Sequence, residues 1–218
     1  PPVIKVVSGT PDDLAPELLT TYMFGFRNLT GLTEEQVFAH KMKSQATAPL
    51  FWVNEGQEYR LKLTNLGLQM RPDLIDEHTV HWHGFRNAYP VFDGEPHSGM
   101  AVPIGRSMVL YYQPGDPGTY MYHCHFEETE HGHMGMTGLV FVRPLQDQAP
   151  LNPGERYVYN DGDGSTAFDR EFTFALTDVW AEAHWDDSHV QLHDWTDFKP
   201  DYYLMNGRVY PDTLAPAG

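Results

Sequence analysis

Met108-Val109-Leu110-Tyr111-Tyr112-Gln113-Pro114-Gly115-Asp116-Pro117-Gly118-Thr119-Tyr120-Met121-Tyr122-His123 contains two short apolar runs, residues 108–112 and 119–123. A Pro/Gly punctuator at 114–118 separates them. Runs of the same kind lie on both sides. Tyr59, Leu61 and Leu63 alternate with Arg60, Lys62 and Thr64 at the period of a half-buried strand, just after the turn Asn54-Glu55-Gly56. Leu139-Val140-Phe141-Val142 follows downstream. Several short strands with turn signals between them predict an all-β fold, a sandwich or Greek-key barrel.

The flanks read differently. Thr33-Glu34-Glu35-Gln36 is a capping-box signature that predicts a short helix over residues 37–43. Asn28-Leu29-Thr30 matches a glycosylation sequon, a pattern with many chance occurrences. Beyond Arg143, Tyr157-Val158-Tyr159 and Phe172-Thr173-Phe174-Ala175-Leu176 flank Asp161-Gly162-Asp163-Gly164, which predicts a hairpin. A polar stretch at 178–201 with Trp and His in it shows no clear element. The chain thus divides into an N-terminal extension (1–50), a β domain (51–145) and a C-terminal extension (146–218).

Composition narrows the function classes. A formal net charge of −16 argues against nucleic-acid binding, which needs a basic stripe. No apolar run approaches the ~18 residues of a membrane span. The start, Pro1-Pro2-Val3-Ile4-Lys5, does not read as a signal peptide and fits the first residues of a processed protein. Cys124 is the single cysteine, so no disulfide forms within the chain.

That cysteine lies inside His123-Cys124-His125, and a second histidine-rich segment, His78-Thr79-Val80-His81-Trp82-His83-Gly84, precedes it. On a strand, alternate side chains share a face. His81 and His83 therefore point one way and His78 the other. His123 and His125 likewise share a face opposite to Cys124. His78 and Cys124 can meet at one site, and the four remaining histidines at a second. His131 and Met136 lie in a Gly-containing loop that can fold back over Cys124. Two imidazoles, one thiolate and one thioether form the trigonal set with a weak axial sulfur that suits copper used for electron transfer. Zinc prefers a closed set without a thioether. Either segment alone is a modest signal. The two together, with His131 and Met136 at loop spacing, are hard to obtain by chance.

These residues resemble the blue-copper domain of the multicopper oxidases, the group that includes laccases. The family pattern is His-x-x-His-x-His-Gly, then His-Cys-His, then a loop histidine with an axial residue five positions later. Gly118-Thr119-Tyr120-Met121-Tyr122 and Gly135-Met136-Thr137-Gly138 are also family-like. The resemblance covers residues 50–143. The spacing from Cys124 to His131 is two residues longer than in three-domain laccases and is similar to the first domain of two-domain oxidases. The resemblance implies a cupredoxin-like Greek-key fold. It assigns His78, Cys124, His131 and Met136 to type 1 copper, His81 to type 2 copper, and His83, His123 and His125 to the type 3 pair. It implies one-electron oxidation of a phenolic, amine or metal-ion donor, coupled to reduction of dioxygen to water. A trinuclear cluster of this family takes eight histidines and this segment offers four. The resemblance therefore implies a second cupredoxin domain or subunit in a homo- or hetero-oligomer, a trimer among the options. Residues 203–213 resemble the lead-in to such a domain. A secreted or periplasmic location is implied as well.

The family also carries an acidic proton-relay residue near the position of Asp93, its candidate here, against a plain turn aspartate. Glu127, Glu128 and Glu130 crowd the loop beside the type 1 set, where a solvated charged loop competes with steering of a cationic donor. His184, His189 and His193 read as surface histidines rather than an accessory metal site. Met70, Met100, Met121 and Met134 read as core or rim packing. His40, His97 and His133 have no motif partner, although His133 is close enough to His131 to substitute for it. Trp82 is expected to pack in the barrel. Two other functions remain open. A copper nitrite reductase shares the first-domain blue copper, but that family lacks the second histidine of His-Cys-His. A pure electron carrier gives no role to His81, His83, His123 and His125.

Overall fold

The computed structural model describes residues 23–41, 43–45, 47–67, 76–86, 89–188, 191 and 193–216. Among them are the strands β1 (Phe51–Asn54), β2 (Tyr59–Thr64), β3 (His81–His83), β4 (Ser107–Tyr112), β5 (Gly118–His123), β6 (Thr137–Arg143), β7 (Arg156–Tyr157), β8 (Ala167–Phe168), β9 (Leu176–Val179) and β10 (Tyr202–Met205). The helices are α1 (Glu34–Phe38), α2 (Glu128–His133) and α3 (Ala181–Ser188). No helix among the described residues is long and apolar enough to cross a membrane.

Four strands form one sheet in the order β1-β6-β5-β3, with β1 parallel to β6 and the other pairs antiparallel. β2 and β4 form a second, antiparallel sheet with Tyr59 opposite Tyr112. Each strand turns one stripe of side chains inward, because successive residues alternate faces. In β6 this buries Gly138, Val140 and Val142. Val53, Trp82 and Tyr122 from the same sheet join Leu63, Leu110 and Tyr112 from the other in one apolar cluster. The result is a sandwich, and the predicted strands at 59–64, 108–112, 119–123 and 139–142 all form. Trp82 is fully buried and stacks on Tyr112, with centroids 4.1 Å apart and planes 5° off parallel. Gly138 sits opposite Tyr122 in the ladder, where a Cβ would come within 2.5 Å of the Tyr122 ring. The small residue lets that ring lie flat across the sheet, and its hydroxyl donates to the Pro49 carbonyl at 2.6 Å.

Four expectations are corrected. The capping box forms, with the Thr33 and Gln36 side chains each accepting from the other's backbone N–H, but the helix it starts is Glu34–Phe38 rather than 37–43. It buries no residue, so no apolar face extends it. The predicted hairpin pairs different residues. Asp161 accepts from Gly164 N–H, Thr166 N–H and the Thr166 hydroxyl, which turns the chain early. Tyr157 then pairs with Ala167, not with residues 172–176, and Leu176 belongs to β9, which pairs with β10. The loop expected between Cys124 and Met136 contains α2, entered through Glu127 at φ 46°, a left-handed turn. Finally, the stretch at 178–201 holds α3, and its histidines are not on the surface. His184 is fully buried and the His193 side chain is 6% exposed, both packed among aromatic rings. His189 and Met70 lie outside the described residues. Met134 is buried, whereas Met100 and Met121 are exposed.

Candidate metal centre

The end of β5 and the segment after it build the first face. Cys124 is fully buried. Its backbone N–H donates to the Met136 carbonyl at 3.1 Å, and the Met136 N–H donates to the His131 carbonyl at 3.0 Å. These two bonds fold residues 124–136 back on themselves and bring His131 and Met136 to the cysteine. His78 arrives from the other side, held by a two-way bridge between its backbone and that of Val102. The Cys124 sulfur lies 3.3 Å from His131 Nδ1 and 3.9 Å from His78 Nδ1, and the three ligand atoms sit within 4.8 Å of one another. Met136 is 2% exposed. The donors are one thiol and two imidazole nitrogens converging in the interior, and the buried Met136 is tied to Cys124 and His131 through the backbone. That set fits copper.

The surroundings favour the thiolate. The Thr79 N–H donates to the Cys124 sulfur at 3.4 Å. Burial pushes the thiol up, but His131 and His78 more than offset it and hold it at about 6. Burial pushes His131 down, yet Asp76 and Cys124 raise it to about 10. Asp76 faces both imidazoles from behind, with one oxygen 3.1 Å from His131 Nε2 and the other 3.7 Å from His78 Nε2. A carboxylate on the outer nitrogen fixes the tautomer and the ring orientation, so that Nδ1 is offered inward.

The opposite face of the same strands carries the second group. His81 stands directly opposite His123 in the β3–β5 ladder. Ring centroids are 5.4 Å apart for His81–His123, 5.1 Å for His81–His125, 5.6 Å for His83–His123 and 5.4 Å for His123–His125. The four rings cluster, but they do not converge on one point as His78, Cys124 and His131 do. His81 Nδ1–H donates to the Asp93 carbonyl at 2.6 Å and His123 Nδ1–H to the Cys124 carbonyl at 2.9 Å. Each bond leaves Nε2 as the free ligand atom. The Asp93 carboxylate is 3.5 Å from His81 Nδ1. It is carried there by Gly94, at φ 75°, whose missing Cβ lets the loop lie against the Val80 carbonyl.

Thr79 ties the two faces together. Beside its bond to the sulfur, its hydroxyl accepts from the His125 N–H at 2.8 Å. His133 belongs to neither face. Its Nε2 accepts from the Trp180 N–H at 3.1 Å, and its ring meets His184, Trp195 and Phe198. Sequence reading missed Asp76 and Thr79.

The family model described as multicopper oxidase matches residues 28–147. A curated multicopper oxidase, MCE of Talaromyces pinophilus, is 27% identical over 136 residues, covering 62% of this chain and 20% of that protein. Two similar solved structures come from Nitrosomonas europaea. Its blue copper oxidase has a TM-score of 0.60 at 22% identity, over 88% of this chain and 52% of that one. Its copper nitrite reductase has a TM-score of 0.52 at 17% identity, over 76% and 47%. At these identities the solved structures establish the fold alone, which is the expected all-β, cupredoxin-like one. This chain spans about a fifth of the curated relative and about half of these solved chains.

Proposed function

Because this chain belongs to the multicopper oxidase family, whose cofactor is copper, we propose that it takes electrons one at a time from a phenolic, amine or metal-ion donor and passes them to dioxygen, which is reduced to water. His78, Cys124, His131 and Met136 would hold the type 1 copper. His81 would serve the type 2 copper, and His83, His123 and His125 the type 3 pair. The other four histidines of the cluster would come from a second cupredoxin domain or a partner subunit. A secreted or periplasmic location goes with this reading.

One observation carries it. Cys124 faces His78 and His131, while its two chain neighbours sit in the cluster of four imidazoles on the other side. Copper supplies the reversible one-electron chemistry that no side chain of this set has. The protein's residues supply the rest. The Thr79 N–H and the two imidazoles keep the sulfur anionic, and Asp76 holds both rings in place. A single backbone link on each side joins Cys124 to His123 and His125, so the path between the faces is covalent. Asp93, whose carboxylate lies 3.5 Å from His81 Nδ1, would hold a proton for the oxygen-reducing side.

Asp93→Asn keeps the shape and removes the proton-carrying group. Turnover in oxygen uptake is expected to fall by roughly a hundredfold, with the visible absorption of the type 1 site unchanged. Full turnover in that variant would assign Asp93 to the turn alone. The function itself is tested by copper stoichiometry, optical spectroscopy and oxygen uptake on the assembled protein. The oxidase reading expects a type 1 and a type 3 signature together with oxygen consumption. One copper per chain with a blue band and no oxygen uptake would make the protein an electron carrier. The nitrite reductase reading has fold support, but its mononuclear catalytic copper leaves His125 without a role.

A further inference from the structure

We propose that Phe24 is a specificity-determining residue, which seals the His131 ring and favours donors that give an electron without touching that imidazole. The inference rests on the oxidase reading above and narrows its electron donor to compact metal complexes over phenols. His131 is 1% exposed. Phe24 stands edge-on to it, with centroids 5.8 Å apart and planes at 70°. His78 and Phe126 pack on the same ring, with centroids at 4.9 and 6.4 Å. Asp76 and Glu127 face its outer nitrogen at 3.1 and 3.6 Å. Of these walls, Phe24 alone comes from outside residues 76–136.

Phe24 is held there by a built contact. Residues 23–28 form a strap tied back to residues 43–45. The Ser44 hydroxyl donates to the Met23 carbonyl at 3.3 Å, and the Gln45 N–H to the Phe26 carbonyl at 3.1 Å. The Asn28 N–H donates to the Gln45 side chain at 2.9 Å, and the Arg27 guanidinium to the Lys43 carbonyl at 2.9 Å. Phe26 anchors the strap in the sandwich, its ring 5.7 Å from that of Tyr122. A Cβ on Gly25 would come within 2.8 Å of the Ser44 Cβ, and one on Gly135 within 2.8 Å of the Phe24 carbonyl oxygen. Two residues without side chains thus let the strap fit between residues 43–45 and the loop that carries His131 and Met136. Phe24 lies outside residues 28–147, the part matched by the family model.

The seal separates donors by their chemistry. A phenol gives up a proton with its electron to become a neutral radical, so it needs close docking beside the acceptor. A substitution-inert metal complex gives up the electron alone and tolerates an intervening ring. Four phenols supply one dioxygen with four electrons and four protons, leaving four phenoxyl radicals and two waters. Four metal complexes supply the four electrons, and the four protons come from solvent. Phe24 is itself only half-buried, so removing its ring opens a slot to solvent. An apolar slot of ring size takes up an aromatic molecule.

The test reads accessibility on the metal-free protein and rates on the assembled, copper-loaded protein. Diethyl pyrocarbonate acylates accessible imidazoles, and mass spectrometry reads the extent at each histidine, with the 93% exposed His97 as reference. His131 should be protected in the parent and labelled severalfold faster in F24A. In F24A, kcat/KM for 2,6-dimethoxyphenol should rise roughly tenfold or more, the order expected for burying one aromatic ring. The rate with pentaammine(pyridine)ruthenium(II) and the visible band should stay unchanged. F24L keeps the cover and should match the parent in labelling and in both rates. Should F24A not fold, R27A loosens the strap from its exposed side, and a smaller change in the same direction is expected from it. Equal His131 labelling in parent and variants, or phenol and ruthenium rates changing together, overturns the proposal. A parent protein without any blue band overturns the oxidase reading instead, and the labelling still decides the seal.

Discussion

Replacing Cys124 with serine is expected to remove the visible absorption of the copper-loaded protein and to stop its oxygen uptake, with the fold retained. The hydroxyl is close in size to the thiol and still accepts the Thr79 N–H. The backbone bonds from Cys124 to Met136 and from Met136 to His131 do not involve the side chain. What disappears is the anion. The thiol is held at about 6 because His131 and His78 outweigh burial, whereas a serine hydroxyl does not ionise in water's range. Without the thiolate the first site has no strong donor to copper, and the covalent path to His123 and His125 has no entry point. Far-UV circular dichroism of the metal-free variant should match the parent, and its melting temperature should move by only about a few degrees. An unchanged visible spectrum in the variant would show that Cys124 is not a ligand.

Trp82→Ala should be the most destabilising single change in the sandwich, by about 3–5 kcal/mol. The indole is fully buried, stacks on Tyr112, and also meets Phe51, Tyr59 and Phe85 with centroids 5.0–5.6 Å away. Removing it leaves a cavity that its four aromatic neighbours cannot fill. Its position couples stability to function, since β3 is three residues long and Trp82 lies between His81 and His83. Urea unfolding of the metal-free protein measures the loss. Copper retention at the histidine face, measured by dialysis, should weaken in parallel. Trp82→Phe keeps part of the stack and should recover much of both. A loss below about 1 kcal/mol in the alanine variant would mean that the aromatic cluster is not what holds β3 in place.

The parts of this fold legible from sequence are those set by short-range periodicity. Strand parity in 78–83 and 123–125 separates the histidines and Cys124 into two groups, and the structure keeps that division. Hydrophobic alternation locates β2, and short apolar runs between turn signals locate β4, β5 and β6. The failures share a cause, which is that side chains distant from the pattern decided the local structure. The 157–176 hairpin was misread because Asp161 captures Thr166 and turns the chain early. The apparent loop at 124–136 contains a helix because a left-handed Glu127 redirects the backbone. Polarity suggested a solvent-facing 178–201, yet His193 packs against Trp180 and Trp195, and the fully buried His184 packs against His133. Asp76 was overlooked because a carboxylate two residues before a ligand has no motif of its own. Its role appears only when two rings from separate segments meet it.

The two backbone bonds that close residues 124–136 bear on rate as well as on shape. They tie the backbone of Cys124 to that of Met136 and Met136 to His131, and the Cys124 sulfur lies 3.3 Å from His131 Nδ1. When the charge at such a centre changes, the nuclei around it have little freedom to shift. The reorganisation energy for electron transfer should therefore be small. The speed of transfer would then be governed by driving force and by the length of the bonded route across the strand.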